Sequence, residues 1–134
     1  MRSAIISCLA LGVLTAAATA DDANKMQGSW TIVSSLDDGQ DVKNEIGGRV
    51  RISDTEIILD FTEKKDSLSY KLDPSKSPKW IDLIGKKVTY LGIYELDGDT
   101  LKICFSESGK ERSTKFESLK NTQNDRLIVL KRMK

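Results

Sequence analysis

The stretch from Val88 to Phe105 constrains the fold more than any other. It reads Val88-Thr89-Tyr90-Leu91-Gly92-Ile93-Tyr94-Glu95-Leu96-Asp97-Gly98-Asp99-Thr100-Leu101-Lys102-Ile103-Cys104-Phe105, two apolar-rich runs on either side of an Asp-Gly turn signal. Gly accepts positive φ without a Cβ clash and Asp tolerates it better than most residues, so Asp97-Gly98 predicts a tight hairpin. With those two residues as the whole loop, Leu96 faces Asp99, Tyr94 faces Leu101, Gly92 faces Ile103 and Tyr90 faces Phe105. Aromatic and aliphatic groups then gather on one face, where cross-strand pairs stabilise a sheet. Leu91, Ile93, Glu95, Thr100, Lys102 and Cys104 take the other face. A bulged three-residue loop, pairing Ile93 with Leu101, is the rival register. A slip of one residue would exchange the faces. The two-residue loop keeps Glu95 and Lys102 off the richer apolar face and is the register expected.

Similar short runs recur along the chain. Trp30 and Ile32 share a face at period two, and Asp37-Asp38-Gly39-Gln40 reads as a turn. Between Asp41 and Gly48, Val42 and Ile46 stand four apart, which fits either a helical turn or two over an opening or a plain loop. Val50 and Ile52 alternate with arginines; Ile57, Leu59 and Phe61 follow on one side of the next run, and Leu68, Tyr70 and Leu72 on one side of the run after it. The segment from Asp73 to Pro78 cannot sustain a ladder, because Pro74 and Pro78 lack the N–H donor. Lys79 to Ile84 and Arg112 to Phe116 are further candidate strands, and Arg126 to Arg132 closes the chain as a strand apolar on both sides. Eight or nine short strands with no long amphipathic helix predict an antiparallel sandwich or barrel. Sequential hairpins favour an up-and-down order. Pairing the first strand with the last would remove the exposed edges. The expectation is an all-β domain, a small antiparallel up-and-down barrel of about eight strands, wide enough either to be filled by side chains or to hold one small ligand.

The first twenty of the 134 residues differ from the rest. Arg2 gives a positive head, Ile5 to Ala18 is apolar without charge, and Ala18-Thr19-Ala20 places small residues where signal peptidase cuts. Residues 1–20 read as a secretory signal peptide and 21–134 as the mature domain, which places the protein outside the cytoplasm. The apolar run is short for a membrane span. Ile5-Ile6-Ser7-Cys8 has a faint likeness to a lipoprotein box, with too little apolar sequence before it. Of 21 basic and 20 acidic residues, cleavage removes only Arg2, leaving 20 of each sign. Such a neutral domain gives no electrostatic footprint for nucleic acid or an acidic membrane. Cys8 leaves with the signal, so Cys104 has no internal partner. Asp21 to Lys25 is polar and expected to fray.

Gly28-Ser29-Trp30 resembles the Gly-x-Trp opening of lipocalins. Together with Met26-Gln27, Tyr70-Lys71-Leu72-Asp73-Pro74, Leu91-Gly92-Ile93-Tyr94-Glu95-Leu96-Asp97-Gly98-Asp99-Thr100-Leu101-Lys102-Ile103-Cys104 and Leu130-Lys131-Arg132, it looks like an uncharacterised lipocalin-like domain of exported planctomycete proteins. The resemblance spans the mature chain and implies a small lipocalin-like β-barrel outside the cytoplasm, with no established activity. The chain departs from the family's pattern in a shorter connection from Leu83 to Val88 and in Ser113 where the family often has Pro. In lipocalins the tryptophan packs under a basic residue of the last strand, which implies that Trp30 and Arg132 close one barrel end here.

The sequence contains no histidine, which excludes His-based triads, Cys-His dyads and histidine metal sites. Cys104 sits mid-strand and would be nucleophilic only with a depressed pKa. Asp97 with Asp99, and Asp37 with Asp38, are carboxylate pairs of a kind that can hold Ca²⁺ or share acid-base work, but both coincide with turn signals. Asp82, between Ile81 and Leu83, would need Lys79 or an arginine if it faced inward. No cofactor or metal site is expected. The remaining chemistry is apolar: Phe61, Tyr70, Trp80, Tyr90, Tyr94 and Phe105 are the candidate ligand-binding residues of the barrel interior. Those side chains serve a solid core equally well. The expected function is therefore a non-enzymatic barrel that binds a small hydrophobic molecule. The alternative is a structural or protein-interaction module of the cell envelope, with a solid core and no ligand.

Overall fold

The computed structural model describes residues 21–61, 66–120 and 125–134. The expected signal peptide, with Cys8 and the lipoprotein-like box, lies outside the described residues, as do parts of the charged loop after Phe61 and of the polar loop before Arg126.

The strands are β1 (Gly28–Asp37), β2 (Gln40–Asp41), β3 (Arg49–Ile52), β4 (Glu56–Leu59), β5 (Ser67–Asp73), β6 (Lys79–Ile84), β7 (Thr89–Asp97), β8 (Thr100–Phe105) and β9 (Arg126–Arg132). All pairings are antiparallel, each strand from β3 onward neighbours the next, and β9 returns to β1. Since β2 pairs only with β1, the other eight strands of the nine-stranded sheet form the closed ring. This is the all-β, up-and-down barrel that the alternating pattern predicts. A register shift between Ile32 and Ser34 bends β1. Such a bulge re-aims a strand, so the first half of β1 pairs with β3 and the second half, at Leu36 and Asp37, with β2.

The β7–β8 hairpin keeps its predicted faces but not its predicted pairs. Asp97 pairs with Thr100, Leu96 with Leu101, Tyr94 with Ile103 and Gly92 with Phe105. The loop is thus Gly98-Asp99, with Gly98 alone at positive φ, +59°. A turn with glycine at its first central position needs only one left-handed residue, so Asp97 can stay in the ladder. The displacement is by an even count, and an even displacement leaves every side chain on its face. At the first turn the requirement differs: Asp38 (φ +52°) and Gly39 (φ +78°) both take left-handed backbone between paired Asp37 and Gln40.

Inside the ring, Trp30, Ile32, Val50, Ile52, Ile57, Tyr70, Ile81, Leu83, Tyr94, Leu101, Ile103 and Leu130 form a buried cluster with Met26. Residues 21–26 do not fray. They are helical, with Asp22 and Met26 buried, because Met26 completes the apolar end of the barrel and its carbonyl accepts the Trp30 indole N–H at 2.8 Å.

Arg112 to Phe116 forms no strand. It belongs to a strap that follows β8 and folds back over the outside of β6, β7 and β8. Arg112 donates to the carbonyls of Ile81 (3.1 Å) and Gly92 (2.8 Å) and to the Asp82 carboxylate (2.7 Å), which faces outward. The Ser106 and Ser113 hydroxyls share a hydrogen bond at 3.0 Å, and the Cys104 thiol donates to the Glu117 carbonyl at 3.4 Å. Ile93 and Cys104 are fully buried beneath this cover although they point away from the barrel. The polar stretch from Asp41 to Gly48 contains one short 3₁₀ turn, Lys43–Glu45. Among the described residues no helix is long and apolar enough to cross a membrane.

Candidate functional site: a cavity at the open end of the barrel

The two ends of the barrel are built differently. At the end where β1 begins and β9 finishes, Trp30 is completely buried and the Arg132 guanidinium lies 4.3 Å from its ring centroid. Arg132 also donates to the carbonyls of Gln27 (2.9 Å) and Lys25, and its Nε stands 3.3 Å from Asp99 Oδ1. The Asp22 carboxylate accepts from the Tyr94 hydroxyl at 2.6 Å and from Lys79 Nζ at 3.0 Å. Burial first, and the bond to Asp22 second, push the Tyr94 phenol far above its ordinary value. The Tyr70 hydroxyl donates to the Ser53 carbonyl at 2.7 Å, and burial raises that phenol too.

The opposite end holds a cavity of about 620 Å³. Its wall is formed by Ile32, Val50, Ile57, Leu59, Leu68, Leu83, Ile103, Ile128 and Leu130, joined by Phe61, Tyr90 and Phe105. Tyr90 and Phe105 meet as a tilted pair with centroids 5.6 Å apart. The Phe61 ring packs on Gly48, where a Cβ would come within 2.7 Å of it. Charged residues border the chamber where strands end: Glu45 on the 3₁₀ turn, Asp66 before β5, Lys86 after β6 and Arg126 at the start of β9. Glu45 accepts from the Ser35 hydroxyl at 2.6 Å and from Arg126 Nη2, which also donates to Ser35 Oγ at 3.1 Å. The Arg126 guanidinium carbon lies 5.9 Å from the Phe105 ring centroid. Arg126 Nε is buried and has no hydrogen-bond partner among the described residues.

Of the six predicted ligand-binding residues, Phe61, Tyr90 and Phe105 come together in the cavity wall. Tyr70 and Tyr94 point inward but sit towards the closed end, their hydroxyls committed to Ser53 and Asp22. Trp80 requires correction. It is 37% exposed on the outer face of β6, between Arg112 (4.2 Å) and Lys76 (4.8 Å). The reason is parity: Ile81 and Leu83 are the buried inward residues of β6, so Trp80 and Asp82 face out. Trp30 and Arg132 lie together at the closed end. Sequence reasoning missed Glu45 and Arg126. A signal for Arg126 exists, because Arg126, Ile128, Leu130 and Arg132 share one face of β9 at period two, a stripe with an arginine at each end. Glu45 had none.

Burial pushes the Cys104 thiol up, away from the reactive thiolate. Among the described residues no group of three or more His, Cys, Asp or Glu is placed to hold a metal ion. No protein-family model matches the chain, and no curated protein or solved structure matches it significantly.

Proposed function

We propose that this chain is an exported, non-enzymatic, lipocalin-like barrel that holds a small hydrophobic molecule in its open-end cavity. The observation that carries this reading is the chamber itself. Its volume of about 620 Å³ falls within the ~300–1,000 Å³ typical of ligand pockets, and its wall is apolar with charges at the border. The absence of histidine from the sequence, and the commitment of Tyr70 and Tyr94 to structural hydrogen bonds, support a binding role over a catalytic one. Export rests on the character of residues 1–20. The lipocalin-like assignment rests on the Gly28-Ser29-Trp30 opening and on Trp30 lying beneath Arg132.

Native mass spectrometry of protein purified from its own host tests the reading. A small molecule retained in the native spectrum and lost on denaturation is expected. A bare protein mass, together with failure of the purified protein to enhance the emission of a hydrophobic fluorescent probe, would overturn it.

A further inference from the structure

We propose that Glu45 sets the charge preference of the cavity, so that the barrel takes an uncharged long-chain molecule with a neutral oxygen head, such as an ester or alcohol, and rejects the corresponding carboxylate. This rests on the ligand-binding reading above. Taken alone, Arg126 would suggest the opposite preference. A half-buried guanidinium beside an apolar chamber is a natural anchor for a carboxylate, since charge-assisted pairs of that kind are the strong ones. Here the charge of the guanidinium is already balanced through Nη2, while Nε stays buried without a partner among the described residues and can donate to a neutral oxygen. Glu45 pairs with Arg126 Nη2, and Ser35 ties the pair together by donating to Glu45 and accepting from Arg126. Both side chains are largely withdrawn from solvent, 26% exposed for Arg126 and 20% for Glu45.

Among the described residues the charges at the border therefore balance, Glu45 and Asp66 against Arg126 and Lys86. Asp66 and Lys86 are exposed, where solvent and salt screen them. The inner pair, which an entering head group meets largely shielded from water, is neutral as a unit. A carboxylate there would leave an unpaired negative charge in a poorly solvated place, and burying an unpaired charge is costly. An ester or alcohol oxygen adds no charge and escapes that cost.

The test compares hexadecane, cetyl alcohol, methyl palmitate and palmitate as competitors of a bound hydrophobic fluorescent probe, with the whole mature domain. In the native protein, cetyl alcohol and methyl palmitate should displace the probe at similar concentrations, and palmitate only at concentrations at least about tenfold higher. Glu45→Gln leaves Arg126 without its counter-charge, so palmitate should tighten by about tenfold or more while methyl palmitate changes by less than about threefold. The double variant Glu45→Gln with Arg126→Leu should lose that gain. Equal competition by palmitate and methyl palmitate in the native protein overturns the proposal even if Glu45→Gln fails to fold. An unchanged ratio in a folded Glu45→Gln protein also overturns it and leaves ligand binding intact. If the probe itself does not bind, the ligand-binding reading falls and this proposal with it.

Discussion

Arg132 and Arg126 stand on the same face of the same strand, at opposite ends of the barrel, and they do different work. Arg132 covers the face of a buried indole and is held by the backbone carbonyls of Lys25 and Gln27. Arg126 borders a chamber and is held by two side chains, Glu45 and Ser35. Strand parity aims both arginines alike, so what each becomes is decided by what the rest of the chain brings to that end. The N-terminal helical turn brings Met26 and Asp22 to the closed end and fills it. At the other end the 3₁₀ turn brings a carboxylate that neutralises the arginine without filling the space in front of it.

The largest expected effect that separates the two ends is at Trp30. Trp30→Ala removes a completely buried ring, its hydrogen bond to Met26 and the surface on which Arg132 rests. It should cost about 3–5 kcal/mol, read as a shift of the denaturant midpoint. A loss below about 1 kcal/mol would mean that the closed end is not the anchor of the fold.

Next comes Gly92, midway along β7. A Cβ there would stand 2.5 Å from the Cys104 carbonyl oxygen and 2.8 Å from Phe105 Cβ. Backbone cannot swing aside, so Gly92→Ala should cost about 2–3 kcal/mol in the same assay, in the upper part of the range for overpacking. Gly48→Ala is the matching probe at the open end. Its Cβ would meet the Phe61 ring at 2.7 Å, and a ring beside a chamber has room to move. A smaller loss is expected there, and a loss equal to that of Gly92→Ala would show that Phe61 is locked in place.

Tyr94 makes the comparison sensitive to pH. Tyr94→Phe removes the hydroxyl that donates to buried Asp22 and should cost about 1.5–2 kcal/mol near neutral pH. Folding raises the phenol pKa of Tyr94 and Tyr70 above the unfolded value of about 10. The native state therefore favours the protonated phenols. Their contribution is complete below about pH 10 and is lost as pH rises from there towards the folded values. Denaturant midpoints should thus fall steeply in alkali for the native sequence and less steeply for Tyr94→Phe. Identical slopes would remove Tyr94 from the closed-end network.

The strands and their faces were legible in the sequence because period-two alternation is strong wherever one side of a sheet faces a core. Even the misplaced β7–β8 register preserved the faces, since moving the turn one residue on, to Gly98-Asp99, shifts each cross-strand partner by two. The strap was not legible. Ile93 and Cys104 are buried on the outward face, but the residues that cover them belong to an irregular segment with no period to read. Trp80 was misplaced for a different reason: strand β6 carries apolar groups on both sides, so its alternation did not show which side faced in. The helical turn at residues 21–26 was too short for a pattern, although Asp22 and Met26 stand four apart on one side of it. The chamber was invisible because Phe61, Tyr90 and Phe105 are the residues a filled core would also use. Volume depends on where the side chains meet, which composition does not encode.

The smallest expected effect, and the one that most sharpens the contrast between the ends, is at Phe61. This ring is half-buried, packed on Gly48 on one side and facing the cavity on the other. A ring that already borders empty space has fewer packing partners to lose than one inside a filled core. Phe61→Ala should therefore cost about 1 kcal/mol or less, well below the ~3–5 kcal/mol of a fully buried aromatic. Its main consequence should be kinetic. Removing part of the wall near the mouth should speed release of a bound hydrophobic probe in stopped-flow dilution, while Trp30→Ala variants that remain folded should release it at the native rate. If Phe61→Ala destabilises the fold as much as Trp30→Ala and leaves probe release unchanged, the two ends are equivalent and the open end is core, not entrance.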